Sequence, residues 1–455
     1  MTRRPSGGDG RAPTVRADWA WEAESVPGSN DSLRWSGHHC AATAVEGGCR
    51  REPLLHAARS VAGVSIARGS FAKPRAAGVS MAALARANGA SGTREAATAI
   101  GAARSSAPGT ERPSWREALA PYARPHLGRS LLDIATSIVP YLALSVLMYL
   151  TLDVSYLLVL ALAIPAAGFL LRTYIVFHDC AHGSFLPSKR ANAWLGVALG
   201  LVVFESFLSW RHSHAVHHAT AGDLDRRGVG DVLTLTAAEY QASPWPRRLG
   251  YRLFRNPLVM FGLGPIYGLL LQPRLVSRSA RPRIRRSVIA TNIALAALAG
   301  GLCWLVGWRE YLLVQMPTAL LAGAAGVWLF YVQHQFEDTY WQRADGWGYA
   351  DAALQGSSYL KLPRLLQFFS GSIGLHHVHH LSTKVPNYTL QRAHDGNPIF
   401  HGVPTLSLWD GLRAVRLKLW DEERGRLVTF AEARRANPPQ PRRWPSATSS
   451  SSATR

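Results

Sequence analysis

Four short segments of the chain concentrate histidine, whose neutral imidazole binds iron, zinc and copper. The sequence has 17 histidines in 455 residues, and 11 of them lie in these segments. The segments are HDCAH (178–182), RHSHAVHH (211–218), QHQFED (333–338) and HHVHH (376–380). Such clustering predicts a metal site.

The spacing within the segments indicates which imidazoles act together. Residues i, i+3 and i+4 share one face of a helix. The first segment offers an i, i+4 pair, and the second and fourth each offer an i, i+3, i+4 set. With the single histidine of the third segment, the predicted ligands are His178, His182, His214, His217, His218, His334, His376, His379 and His380. Nine imidazoles exceed the needs of one ion, so the pattern predicts two metals.

Four apolar runs could position these segments. Residues 131–152, 156–177, 288–308 and 311–332 carry almost no charge. About 20 helical residues at ~1.5 Å each cross the ~30 Å hydrocarbon layer of a bilayer. Only a few residues separate the runs within each pair, which predicts two transmembrane hairpins.

Two further apolar runs, 194–204 and 256–272, are predicted to be interfacial or re-entrant. If the second run spanned the membrane, a basic loop would lie outside, against the preference of positive charge for the cytoplasmic side. That loop contains Arg274, Arg278, Arg281, Arg283, Arg285 and Arg286. The expected fold is an all-α membrane protein with four transmembrane helices in two hairpins, interfacial helices, and a cytoplasmic helical cap that carries the metal site. Both termini are then cytoplasmic, and all four histidine segments meet on one face.

The composition differs between the middle of the chain and its ends. Residues 1–112 are rich in Ala, Gly, Arg and Ser without an apolar period, which predicts a disordered extension, a translation start placed too far upstream, or a targeting segment. The folded membrane domain is expected at 113–435 and a disordered tail at 436–455. The net charge of +21 fits anionic lipid headgroups or an acidic redox partner, or simply free use of arginine. Nucleic acid binding is not expected, because the arginines flank apolar spans.

The histidine pattern is hard to reconcile with side chains that serve only packing or metal transport. Scattered structural histidines do not account for two HxxHH segments and an HxxxH on one membrane face. A metal transporter should carry ionisable residues inside its spans, and the last two apolar runs have none. A non-catalytic metal-binding or transport protein stays the weaker alternative.

The segments and their flanks resemble the membrane fatty acid desaturase family over residues 115–420. The resemblance rests on HDCAHGSF (178–185), WRHSHAVHHATAGDLDRRGVGD (210–231), YVQHQFED (331–338) and GLHHVHHLSTKVPNY (374–388). These strings are similar to the bacterial and plastid-type branch that acts on acyl chains in lipids, the Δ12/ω-6-like and Δ5-like enzymes. The acyl-CoA branch has a longer first box and an Asn where this chain has Phe330.

The resemblance implies two iron ions as cofactor, O2 as co-substrate, an acyl lipid as substrate and a new double bond as product. It implies that the nine histidines are the ligands. No HPGG motif occurs, so no fused cytochrome b5 is expected, and external electrons should come from a ferredoxin-type protein and its reductase. A bacterial inner-membrane location follows. A membrane hydroxylase of the same histidine-box type, acting on alkanes, sterols, carotenoids or acyl chains, is the alternative.

Several neighbours of the histidines are candidates for supporting roles. Asp179, Asp225, Glu337 and Asp338 could accept the far N–H of a ligand imidazole, or they could be solvated loop carboxylates. His212 and His377 are offset on a helical wheel and are expected either to support the ligand histidines or to be structural; if their segments are not helical, either could replace a neighbouring ligand. The loop at 222–230, with Arg226 and Arg227, is either a contact for a lipid headgroup or a simple turn.

Overall fold

The computed structural model of the chain describes residues 114–276 and 280–436. The predicted extension 1–112 and residues 437–455 of the predicted tail lie outside the described residues. The helices within them are α1 Trp115–Leu119, α2 Leu127–Leu150, α3 Tyr156–His182, α4 Lys189–Val202, α5 Phe207–Thr220, α6 Ala237–Ala242, α7 Trp245–Phe254, α8 Pro282–Val306, α9 Trp308–His334, α10 Tyr349–Gln355, α11 Arg364–Phe369, α12 His376–Leu381, α13 Leu390–Asp395, α14 Leu408–Ala414 and α15 Phe430–Ala436.

Four of these helices, α2, α3, α8 and α9, are long and apolar enough to cross a membrane. They overlap the four predicted apolar runs, and two of them continue past the end of their run. Helix α3 extends to His182 and α9 extends to His334. The apolar runs end sooner because hydropathy marks only the residues suited to hydrocarbon. The helical backbone hydrogen bonds continue beyond them to the histidines. Both extensions carry predicted ligands out of the apolar layer.

Helix α3 is the central element and packs against α2, α4 and α9. Small side chains allow the close approach, because Val159, Ala163 and Ala166 are fully buried against Met148 of α2 and Val314 of α9. The helix ends at Gly183, whose φ of 62° lets the Ser184 N–H turn back to the Asp179 carbonyl at 3.1 Å. This left-handed cap is a common helix terminus, and it stops α3 directly after its second histidine.

The predicted interfacial or re-entrant runs fold as irregular helical pieces. Helices α4 and α5 meet at a corner of 103°, where Phe204 has a φ of 60°. Residues Val259–Leu263 and Ile266–Leu271 form π-helical turns that pack on α9. A short 3-10 turn, Gln272–Arg274, follows them. Their depth in a bilayer stays a prediction.

The expectation of an all-α fold was wrong in one respect, because the mostly helical chain also forms two small sheets. One sheet has the order β1 (Leu235–Thr236), β4 (Leu419–Asp421) and β5 (Arg426–Val428), and the other pairs β2 (Tyr359–Lys361) with β3 (Thr405–Ser407) in parallel. Strands of two or three residues are too short to show the period-2 pattern that marks a strand. The second sheet lies directly behind α12, which it supports.

Candidate metal centre

The first two predicted ligands lie at the end of α3, on successive turns of one face. The ring centroids of His178 and His182 are 4.7 Å apart. His178 is oriented by Asp179, whose Oδ1 is 3.0 Å from the imidazole Nδ1. Asp179 also accepts the backbone N–H of Asn387 at 2.7 Å, so the loop after α12 fixes this carboxylate against α3.

An ion pair between two of the membrane-span candidates, α2 and α3, continues this network. The Asn387 side chain donates to Asp133 of α2 at 2.9 Å, and Asp133 pairs with Arg172 of α3. These two residues are the charges that interrupt the first two apolar runs, and each neutralises the other. The network ties α2 and α3 to the residue that orients His178.

Helix α5 brings His214, His217 and His218 to the end of α3. The Trp210 indole stacks on His214 with ring centroids 4.3 Å apart and contacts His178 at 5.7 Å. His214 and His218 share one face, and His217 lies on another. Helix α12 supplies His376, His379 and His380, all buried, and α9 ends on His334.

These nine histidines form two groups, within each of which the ligand nitrogens lie within 4.8 Å of one another. The first group combines three helices and the second combines α5, α9 and α12. The first group is His178, His182, His214, His218 and His379, and the second group is His217, His334, His376 and His380. The structure thus places every predicted ligand in a cluster, and the clusters are adjacent, with His218 and His380 stacked at 4.1 Å.

Hydrogen bonds in the second group determine which nitrogens can bind a metal. The His217 Nδ1 contacts the Asp231 carboxylate, and the His334 Nδ1 is 3.0 Å from the Gly356 carbonyl oxygen. Both oxygens only accept, so each Nδ1 carries the imidazole proton. The two Nε2 atoms therefore face each other as lone pairs, 3.1 Å apart.

Two lone pairs at that separation repel unless a cation lies near both. A shared proton would put an imidazolium inside a buried cluster, which desolvation disfavours. A metal satisfies both: at a metal–nitrogen distance of about 2.1 Å, ligands at right angles are about 3.0 Å apart. The His376 and His334 Nε2 atoms are 3.0 Å apart, as are those of His379 and His218. The donor set and its spacing therefore fit metal binding in both groups.

Further observations agree with unprotonated, metal-directed imidazoles. The Nε2 atoms of His182 and His380 are buried without a hydrogen-bond partner among the described residues. Burial and neighbouring imidazoles hold the pKa of His376, His379 and His380 well below the usual range. These side chains are neutral at physiological pH and keep a lone pair for a metal.

The four carboxylates predicted to support the ligand histidines differ in whether they contact one. Asp179 contacts His178, but the structure brings Asp225, Glu337 and Asp338 to no ligand histidine. Asp225 binds Arg343 and the Ala344 N–H instead, Glu337 pairs with Arg426, and Asp338 is exposed. Arginines capture Asp225 and Glu337 because these carboxylates lie on loops that turn outward. Sequence reasoning missed Asp231, although it ends the string 210–231 that carries the resemblance, fourteen residues after His217.

The two offset histidines lie outside both groups. His212 is exposed on α5. His377 is fully buried, but it points away from the clusters and its Nε2 is 2.9 Å from the His394 Nδ1. Phe400 and Tyr359 pack against this pair. His394 was not singled out from the sequence, because no spacing links it to the other histidines.

A buried arginine supports the end of α9. The Arg255 side chain is fully buried and donates to the Gln335 side chain at 2.8 Å and the Tyr331 hydroxyl at 3.1 Å. It also donates to the backbone carbonyls of Leu233 and Leu417. These neutral acceptors hold the residue after His334 against the β1 and β4 segments.

A cavity of about 510 Å³ reaches both histidine groups. His178 and His214 of the first group and His376 of the second form part of its wall. Apolar side chains of α3 and α9 form much of the remainder, together with Pro265 and Leu269 from the segment that carries the π-helical turns. The volume is in the range of ligand pockets, which run from about 300 to 1,000 Å³.

Sequence comparisons with known proteins identify the family of the chain. The model of the family described as fatty acid desaturase matches residues 154–403. A fatty acid desaturase of Bacillus subtilis is 48% identical over 312 residues, which are 69% of this chain and 89% of that protein. An sn-1 acyl-lipid omega-3 desaturase (ferredoxin) of Synechocystis sp. is 29% identical over 48% of this chain and 62% of its own length. A chloroplastic omega-6 fatty acid desaturase of Brassica napus is 28% identical, with 49% of each chain covered. The chain therefore belongs to the fatty acid desaturase family and is an enzyme, an oxidoreductase of the membrane.

Proposed function

We propose that this enzyme inserts a double bond into an acyl chain of a membrane lipid, using O2, two external electrons and two iron ions held by the nine histidines. The observation that supports it most is the shared cavity, since both histidine groups contribute to the wall of one largely apolar space. The acyl-lipid relatives agree with a lipid substrate.

The chemistry explains why a metal pair and an apolar cavity occur together. No side chain can deprotonate an unactivated C–H bond, so the hard step belongs to the cofactor. Two irons would supply oxidation by O2, which removes two neighbouring hydrogens and leaves water. The protein holds the metals, excludes water and places one methylene beside them.

The residues around the cavity suit these tasks. Leu170, Leu171 and Ile175 of α3 face Ala319 and Ala322 of α9 across the space. Small residues on one wall leave room for a chain, and branched residues on the other give it apolar contact. All five of these side chains are hydrocarbon, so this part of the cavity is suited to an acyl tail.

The metal itself can be tested without activity. We expect about two irons per chain in the purified enzyme, one for each histidine group. A folded enzyme that contains zinc, or no metal at all, would contradict the diiron proposal and favour the non-catalytic alternative.

Electron supply and orientation complete the proposal. A ferredoxin-type donor with its reductase is proposed because the Synechocystis relative carries ferredoxin in its name and because no cytochrome b5 motif occurs in the sequence. We place the enzyme in a bacterial inner membrane with the histidines and both termini in the cytoplasm. The arginines at the start of α8, from Arg281 to Arg286, support that side.

Product analysis tests the reaction. Expression in a host with saturated and monounsaturated lipids should yield a new double bond, detected by gas chromatography with mass spectrometry after derivatisation of double-bond positions. His217→Ala serves as the inactive control. Exclusively hydroxylated products would overturn the desaturase proposal in favour of the hydroxylase.

A further inference from the structure

The corner between α4 and α5 gives the cavity a polar wall. Phe204 adopts a left-handed conformation there, and the Glu205 N–H closes the corner on the Gly200 carbonyl at 2.8 Å. Glycine usually occupies a left-handed position at the end of a helix, so a phenylalanine there is strained. This strained backbone conformation turns Phe204 and Glu205 into the cavity wall. Ser209 and Ser213 continue this wall along α5 toward His214.

The other arm of the cavity has the opposite character. From His178 it follows α3 back through Ile175 to Leu170, and α9 through Leu329 to Ala319. The cavity wall thus has a polar part, the polar arm, at the corner and an apolar part, the apolar arm, along α3 and α9, and His178, His214 and His376 belong to the same wall. An acyl lipid has the same division, with a polar head and an apolar tail.

Arg274 lies next to residues of the polar arm and has unused hydrogen-bonding capacity. It follows Gln272 and Pro273, which line the cavity, and its Nη2 donates to the Phe204 carbonyl. Its Nε and Nη1 are buried and have no hydrogen-bond partner among the described residues. Buried guanidinium N–H groups without acceptors are costly, so these two groups of Arg274 are available to bind an acceptor.

The surroundings of Arg274 do not neutralise it. Burial raises the pKa of Glu205 to about 8, against the effect of Arg274 nearby, so Glu205 is mostly uncharged at neutral pH. Asn292 of α8 donates to the Arg274 carbonyl at 3.0 Å, and its own Oδ1 is buried without a partner in the described part of the chain. A positive charge therefore lies beside the polar arm, and the open Asn292 Oδ1, which is an acceptor, takes no part in binding phosphate oxygens.

We propose that Arg274 binds the phosphate of a phospholipid substrate, whose acyl chain then passes His214 and enters the apolar arm. The inference rests on the proposed function and adds the headgroup class. Arginine is suited to phosphate because its N–H groups match phosphate oxygens. The alternative arginines suggested by the sequence are occupied, since Arg226 pairs with Asp223 and Arg227 with Glu239.

A fixed headgroup also determines which carbon faces the metals. From Phe207 to His214, α5 advances about 10 Å at ~1.5 Å per residue. A phosphate held at one end of this wall places the desaturated carbon at a set distance from the carboxyl end. Arg274 then acts as a residue that determines double-bond position.

Binding is the first test, and it needs no turnover. Native mass spectrometry of the purified, iron-loaded enzyme would compare palmitoyl-lysophosphatidylglycerol with monopalmitoylglycerol, which has the same chain and no phosphate. We expect the phosphate lipid to bind about tenfold more tightly or better. Arg274→Gln should remove that preference and leave the affinity for monopalmitoylglycerol unchanged. Equal affinity of the unaltered enzyme for the two lipids would overturn the phosphate site, whether or not any variant folds.

Product analysis is the second test, with Arg285→Gln as control. Arg285 lies exposed in the first turn of α8, so the control makes the same charge change without touching the cavity. Arg274→Gln should spread the double bond over neighbouring carbons, while Arg274→Lys and Arg285→Gln keep one position. An unchanged position in Arg274→Gln would refute the headgroup anchor. Absence of any new double bond with the unaltered enzyme would instead refute the proposed function.

Discussion

Removing the Asp231 carboxylate should loosen one histidine group and leave the other in place. Asp231 accepts the Nδ1–H of His217, which leaves the Nε2 lone pair directed at the second group. Only 8% of the Asp231 side chain is exposed, so water cannot take over its role well. The second group has four histidines against five in the first, which makes each of its ligands harder to spare.

The size of the effect follows from what the carboxylate does. Residues that orient a ligand histidine typically change metal affinity by about 10–100-fold, or roughly 1.4–2.7 kcal/mol. Asp231→Asn can still accept the proton through its amide oxygen, but without charge, so its loss should be at the lower end. Asp231→Leu removes the acceptor, and its loss should be at the upper end.

Iron content after dialysis against a chelator measures the effect. We expect about two irons per chain in the unaltered enzyme and a fall toward one in Asp231→Leu, with Mössbauer spectra showing loss of a single site. Asp225→Asn is the matched control, because this carboxylate is 43% exposed and pairs with Arg343. Full retention of iron by Asp231→Leu, or an equal loss from Asp225→Asn, would refute the assigned role of Asp231.

Three further substitutions address the ligands, the cavity and a buried charge. His217→Ala should lose iron and activity while His212→Ala, exposed on the same helix, keeps both; equal losses by iron analysis would contradict the grouping. Ala319→Phe should shift products to shorter acyl chains in a lipid profile, whereas Leu321→Phe, 45% exposed on the same helix, should not. Burial and Arg255 lower the pKa of Lys418 to about 7, so the unfolded state binds more protons between that value and the ordinary 10.5, and stability rises with pH across this window. Lys418→Met should therefore increase the free energy of unfolding by about 1–3 kcal/mol, which is seen as a higher thermal midpoint. The increase should be larger near pH 6 than near pH 9. An equal increase at both pH values would show that the charge of Lys418 is not its cause.

The clustering of the nine predicted ligands could be expected from the sequence because their spacing is local. Residues i and i+4 must share a helical face wherever the helix lies, and each histidine segment does form or end a helix. The division of the nine histidines into two groups could not be predicted from this spacing. His217 and His218 are neighbours in the chain, yet they enter different groups, as do His379 and His380.

The residues that orient the ligands were harder to find. Asp179 was accessible because it is adjacent to His178 in sequence. Asp231 contacts His217 only because the loop after α5 folds back, with the Leu224 N–H bonded to the Gln342 carbonyl at 2.9 Å. The separation of Asp231 and His217 in the sequence does not show that the loop folds back. It also does not show that Asp225 and Glu337 point outward to arginines.

The division of neighbouring histidines has a mechanical consequence. Consecutive residues of a helix point about 100° apart, so α5 and α12 each present one face to the first group and another to the second. His214 and His218 serve one group while His217 serves the other, and His379 and His380 divide in the same way. Neither helix can rotate to improve one group without disturbing the other. The separation of the two histidine groups is therefore set by two short helices that contribute to both. A change that alters the phase of either helix should affect both groups at once, unlike the one-sided loss expected for Asp231.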